Sequence, residues 1–179
     1  MSTISLQEYI PETINQFEVT RDNTKLLGLA AAQDLPGIEI ETDEIRGAGM
    51  YGTRSVPATG HVADTEWELK YISYGAHMTQ FGDTTQEINL QLRAGMQMQN
   101  SRDLTIAYKP FVIFVRGRMI AFNPGGMELG KKTEASVKLN LDMIKPMLGN
   151  EPQIYIDKIL GIYQVDGKDL LAPIKACLA

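Results

Sequence analysis

A mainly β fold, either two packed antiparallel sheets or a small β-barrel with one or two short helices, is what this chain predicts. Three observations predict it. Apolar and polar residues alternate with period two in most patterned segments, as extended strands with one buried face require. Turn signals separate those segments: Arg21-Asp22-Asn23, Asn123-Pro124-Gly125-Gly126, Gly149-Asn150 and Asp166-Gly167. Phe111–Val115 is apolar on both faces, the mark of a strand buried from both sides.

Taken in order, Ile14–Thr20 and Lys25–Ala30 flank the first turn and form a hairpin. Ile38–Arg46 is the next strand. Its Ile38, Ile40 and Thr42 fall on one side, and Glu39, Glu41 and Asp43 on the other. The segment 47–62 holds Gly47, Gly49, Gly52, Pro57 and Gly60 and reads as an extended loop. Ala63–Tyr74 alternates again, with Trp67, Leu69 and Tyr71 opposing Glu66, Glu68 and Lys70. Gly75–Gly82 reads as a short helical turn.

Glu87–Gln99 holds the longest clean alternation. Ile88, Leu90, Leu92, Ala94, Met96 and Met98 oppose Asn89, Gln91, Arg93, Gln97 and Gln99, with Gly95 as a bend point. Phe111–Val115 continues through Arg116-Gly117-Arg118 into Met119–Phe122, and a loop then runs to Lys132. Ala135–Ile144 places Val137, Leu139, Leu141 and Met143 inward, and Pro146 with Gly149-Asn150 marks a break. Gln153–Ile159 is a further strand. Pro173 interrupts a helix start near the end, so 168–179 reads as a C-terminal arm. No repeat, low-complexity run or linker divides the chain, which reads as a single domain over 1–179.

The length of 179 residues is enough for a real core, and the 44% hydrophobic and 22% charged fractions are those of an ordinary globular chain. A net charge of −5 argues against tight nucleic-acid binding, which needs a basic patch. Cys177 is the one cysteine, so neither an internal disulfide nor a cysteine-based metal cluster forms. Met1–Ile10 lacks the basic-then-apolar order of a signal peptide. No apolar run approaches the roughly 20 residues of a membrane helix. The expected place is therefore the cytoplasm, until assembly.

The chemistry of catalysis is missing. His61 and His77 belong to no metal-spaced motif, and a structural or surface role is expected of each. Gly47-Ala48-Gly49 opens like a dinucleotide fingerprint but lacks the third glycine and the crossover helix. Ser55 and Ser73 have no base nearby in sequence. No enzyme activity, cofactor or metal is expected. The carboxylates Glu39, Glu41, Asp43 and Glu44 admit three readings: a solvated strand face, a wall that repels an acidic polymer, or a metal site. The nine methionines are read as core filling, with Met96 and Met98 in phase with Ile88. Lys131, Lys132 and Lys138 form a small basic cluster, read as a solvated loop or a subunit contact.

Three stretches resemble the major tail tube protein family of contractile-tailed bacteriophages. The first is Ile45-Arg46-Gly47-Ala48-Gly49-Met50 with Gly52, preceded by the acidic strand. The second is Val115-Arg116-Gly117-Arg118, followed by a Gly- and Lys-containing loop and the strand from Ala135. The third is Ile154-Tyr155-Ile156-Asp157-Lys158-Ile159, followed by Val165-Asp166-Gly167. Residues before Gln16 and the last ten carry no resemblance, and 75–101 departs in detail.

The resemblance implies a two-sheet β fold and hexameric rings stacked into a hollow tube inside a contractile sheath. Implied partners are further copies of the chain, the tail sheath protein, baseplate and terminator proteins, and the tape measure protein and phage DNA in the lumen. The implied place is the virion tail, assembled in the host cytoplasm, with DNA conducted through the tube when the sheath contracts. On this reading Glu39, Glu41, Asp43, Glu66 and Glu68 face the lumen. There, repulsion of phosphates reaches about 8 Å at physiological salt. The amide face of Asn89, Gln91, Gln97 and Gln99 is the rival lining. Arg46, Gly47, Gly49, Met50, Tyr51 and Gly52 are the expected contacts between rings or subunits. The tube of a headless contractile bacteriocin or injection system has the same fold and assembly. A small-ligand β-barrel carrier is the rival from another class and needs a closed apolar pocket.

Overall fold

Asp22 and Asn23 both adopt positive φ, 45° and 66°, the geometry of the tight turn whose twist matches antiparallel strands. That turn joins β1 (Tyr9–Arg21) to β2 (Thr24–Lys25), with Thr20 opposite Lys25. A computed structural model describes residues 9–178 of the chain. The signal-peptide reading of the N-terminus falls mostly outside the described residues, as does the side chain of His77.

The remaining strands are β3 (Ile40–Ile45), β4 (Arg54–Val62), β5 (Thr65–Lys70), β6 (Ile88–Asn100), β7 (Ile106–Asn123), β8 (Ser136–Leu148), β9 (Glu151–Pro152), β10 (Ile154–Asp157), β11 (Ile162–Val165) and β12 (Lys168–Asp169). A 3₁₀ helix covers Ala76–Phe81, and α1 covers Ala172–Cys177. The large sheet is antiparallel, in the order β12-β11-β10-β8-β7-β6-β1-β2. β8 is long enough to take β7 along one edge and, on the other, β5 over its first half and then β10 and β9.

The sheet closes on itself. Beyond β2 the chain bends at Gly28 (φ 78°), and Gly28–Ala30 pairs with the end of β5. Ala30 N donates to Lys70 O and Ile72 N to Gly28 O, each at 2.8 Å. Gln33 then covers the β5 edge: its amide donates to Lys70 O at 2.6 Å and accepts from Lys70 N at 3.0 Å. β5 is thereby flanked on both sides, and the small-barrel form of the expected fold is realised.

Inside lie Trp67, Leu69 and Tyr71 of the β5 run, Ile88, Leu90 and Leu92 of β6, and Val137, Leu139 and Leu141 of β8. Met78 and Phe81 of the 3₁₀ helix are buried as well and plug one end. Arg21 holds that plug, stacking 5.2 Å from the Phe81 ring centroid while donating to Gln80 O. A side chain of this size contributes about 1.5–3 kcal/mol when fully buried.

Three expectations are corrected. β8 does not break at Pro146; it runs to Leu148, and Pro146 O accepts from Gln153 N at 3.0 Å. The inward phase of β8 does not reach Met143. A register shift sets Arg116 opposite Met143 but Gly117 opposite Leu141, so Asp142 is extra and Ile144 turns inward. Pro173 does not interrupt a helix but sits in the first turn of α1, where its missing N–H is harmless. The alternation of β6 holds, with a bulge in β1 between the pairs Ile14–Met96 and Gln16–Gly95, beside the expected bend.

Candidate functional site

β3 and β4 form a two-stranded sheet of their own, paired with no strand of the barrel. They make an arm. Its root lies next to β5, where Ile40 pairs with Val62 and Ala63 N donates to Glu39 O at 3.0 Å. Ile38 and Val62 pack against the core and seat that root. The segment read as the loop 47–62 therefore contains a strand, since β4 occupies 54–62. Its Val56, Ala58 and Val62 alternate with more exposed residues, a pattern hidden in the sequence by Pro57 and Gly60.

Arg46, Gly47, Gly49, Met50, Tyr51 and Gly52 come together at the tip, and every one is exposed. Met50 N donates to Gly47 O at 3.1 Å, while Gly49 and Gly52 take φ of 89° and 125°. Tyr51 has nothing covering it within the chain.

The acidic candidates do not form one wall. Glu39 precedes β3, and Glu41 and Asp43 lie within it, all exposed. The register jumps from Ile40–Val62 to Thr42–Pro57, so Glu41 sits opposite an irregular stretch of β4. Glu66 and Glu68 point outward from β5, in the other sheet. Glu66 is ion-paired with Lys138 at 2.5 Å.

The outward face of β6 is rich in amides, with the exposed Arg93 between Gln91 and Gln97. Asn89, Gln91, Gln97 and Gln99 point outward from β6, flanked by β1 on one side and β7 on the other. Gln97 accepts from the Asn15 amide at 3.3 Å and donates to Glu12 at 2.8 Å.

The loop expected from Asn123 to Lys132 is present, but its apolar tip escaped the sequence reading. Between β7 and β8, Gly125 N donates to Asn123 Oδ1 at 2.9 Å and Gly126 N to Thr133 O at 2.9 Å, which fixes its base. Met127 and Leu129 stand at its tip, fully exposed. Two apolar residues among glycines in a polar loop were the available signal. Among the described residues, no group of three or more His, Cys, Asp or Glu is arranged to hold a metal ion. No helix among them is long and apolar enough to cross a membrane.

The chain is a barrel filled by its own side chains, with an arm that pairs with no other strand and exposed apolar residues at two loop tips. A family model described as phage tail tube protein FII matches residues 11–178. The chain belongs to that family, and it is thus a component of a tail or related particle. No curated protein matches it. Among solved structures it is similar to the sheath/tube terminator of PVC, an extracellular contractile injection system, in the extended state. That likeness has 11% identity and a TM-score of 0.52, covering 77% of this chain and 97% of the other. The sheath–tube complex of the same system is 12% identical with a TM-score of 0.48, covering 74% and 88%. The baseplate of the anti-feeding prophage is 10% identical with a TM-score of 0.46, covering 82% and 97%.

Proposed function

We propose that this chain forms the inner tube of a contractile tail. Six copies make a ring, and rings stack into a hollow tube that conducts DNA. Contraction of the sheath drives that tube through the host envelope. The tube meets the tail sheath protein along its length, and baseplate and terminator proteins at its ends. The tape measure protein and then DNA occupy the lumen. Assembly takes place in the host cytoplasm, and the role is structural rather than catalytic.

The observation that carries this reading is the β3–β4 arm. Each of its strands has one edge unpaired, and a ribbon of two strands is marginal in water without further cover. A neighbouring copy supplies that cover, which makes the contact heterologous and lets it propagate. Arg46, Gly47, Gly49, Met50, Tyr51 and Gly52 are the proposed contact residues.

For the lumen, the single amide-rich face of β6 is favoured over Glu39, Glu41, Asp43, Glu66 and Glu68. A wall needs one continuous face, and the acidic residues are split between two sheets. Amides hold water without gripping phosphates, and Arg93 is the one charged residue of β6.

Negative-stain electron microscopy of the concentrated protein tests the proposal. Hollow tubes with six-fold end views are expected, either spontaneously or after addition of purified baseplate. Single small particles under both conditions would sink it.

A further inference from the structure

The C-terminal residues take no part in the barrel wall, yet they are held firmly. Asp169 accepts from Leu171 N at 2.8 Å through Oδ1, and its Oδ2 lies 3.6 Å from Lys175 Nζ. One carboxylate thus ties both the start of α1 and a residue one turn on. Lys175 N donates to Leu171 O at 2.9 Å. These bonds fix where the Leu171 side chain goes.

It goes onto Gly60 of β4, at the root of the arm. A Cβ at Gly60 would overlap Leu171 Cδ2, and Gly60 also adopts φ 89°. Glycine is required there twice, by backbone conformation and by close approach. Two further ties act at the same root. Ala63 N donates to Glu39 O at 3.0 Å, and Lys158 Nζ donates to Ala63 O at 2.9 Å. Both act at residue 63, so they hold the root in place without setting the angle at which the arm leaves. Leu171 touches β4 farther out, at Gly60.

We propose that the C-terminal segment aims the arm, with Leu171 seated on Gly60 as the positioning residue. The arm's proposed receptor is a second copy of this chain, and that consequence rests on the tube reading above. A pre-aimed arm spares the ordering entropy that docking a swinging ribbon would require.

The test uses the full chain with Cys177→Ser and spin labels at Ser55→Cys on the arm and Glu68→Cys on the barrel, diluted with unlabelled protein. Distances are read by double electron–electron resonance. One narrow distance peak is expected for this parent. Leu171→Ala broadens it. Ile174→Ala, on an exposed part of the same helix, leaves it narrow. Gly60→Ala moves the peak, and adding Leu171→Ala to it changes the distribution by less than the two separate effects combined, because truncating Leu171 relieves the overlap that the new methyl makes. The concentration at which tubes appear should rise about tenfold with Leu171→Ala, equivalent to about 1.4 kcal/mol. A peak equally narrow in Leu171→Ala, or already broad in the parent, overturns the positioning role whether or not tubes form. Loss of the narrow peak in Leu171→Ala, in a protein that never forms tubes, upholds the positioning and overturns the tube.

Discussion

Asp157 is the most consequential single charge in the barrel. It is 1% exposed, and it accepts from Arg116 at 2.7 Å and from Ile159 N and Leu160 N at 3.1 and 2.8 Å. Arg116 joins β7 to β10 across β8, and its Nε lies 3.5 Å from Glu87. Removing the guanidinium strands a buried carboxylate, so Arg116→Ala should cost about 3 kcal/mol in urea unfolding. Glu87→Gln breaks a longer, partly exposed contact and should cost under about 1 kcal/mol. Burial pushes the Tyr71 phenol from 10.0 to about 12, opposed slightly by Arg21. The folded pKa is the higher one, so this contribution to stability is complete below pH 10 and is lost as pH climbs to about 12. Tyr71→Phe should flatten the alkaline fall in unfolding free energy across that window. Asp157 stands inside a motif picked out from the sequence, but its partner was unreadable there, because the two residues meet only through strand register.

At the scale of elements, the strands of the barrel were legible and the arm was half legible. Period two reports a strand with one buried face, which β5 and β6 have. β4 keeps a weak alternation of partly buried Val56, Ala58 and Val62, which Pro57 and Gly60 masked. Its glycines and Pro57 looked like loop chemistry, whereas Gly60 serves the approach of Leu171. Strand ends were misjudged at Pro146 for a similar reason. A proline removes one donor, and at that position the loss is tolerated within the sheet. Deleting residues 48–58 should leave the barrel folded, with its circular dichroism spectrum and thermal midpoint little changed, while abolishing polymerisation. Long tubes from that deletion would remove the arm from the assembly contact.

At the scale of the whole molecule, the closed sheet turns one face of every strand outward, and that face is what assembly has to work with. The apolar tips at Met50-Tyr51 and at Met127 and Leu129 lie on separate connections, one on the arm and one between β7 and β8. If the amide face of β6 lines the passage, Gln91→Arg with Gln97→Arg places repeated positive charge against DNA in every subunit. Such tubes should assemble normally but release DNA more slowly, with a delay that shortens as salt is raised. The readout is the ejection time course at two ionic strengths. Unaltered ejection would return the lining to the acidic residues.

By itself the sequence determined the fold class, the position of the hairpin tip and most of the inward residues, because burial on one face leaves a period that local reading detects. The tertiary structure decided what touches what across the chain. It closed the sheet through Gly28–Ala30, split the acidic residues between two sheets, shifted the phase of β8 at Asp142, and brought Leu171 onto Gly60. Each of these depends on register and closure between segments far apart in sequence. A one-residue slip there exchanges the two faces of a strand and leaves its local pattern untouched.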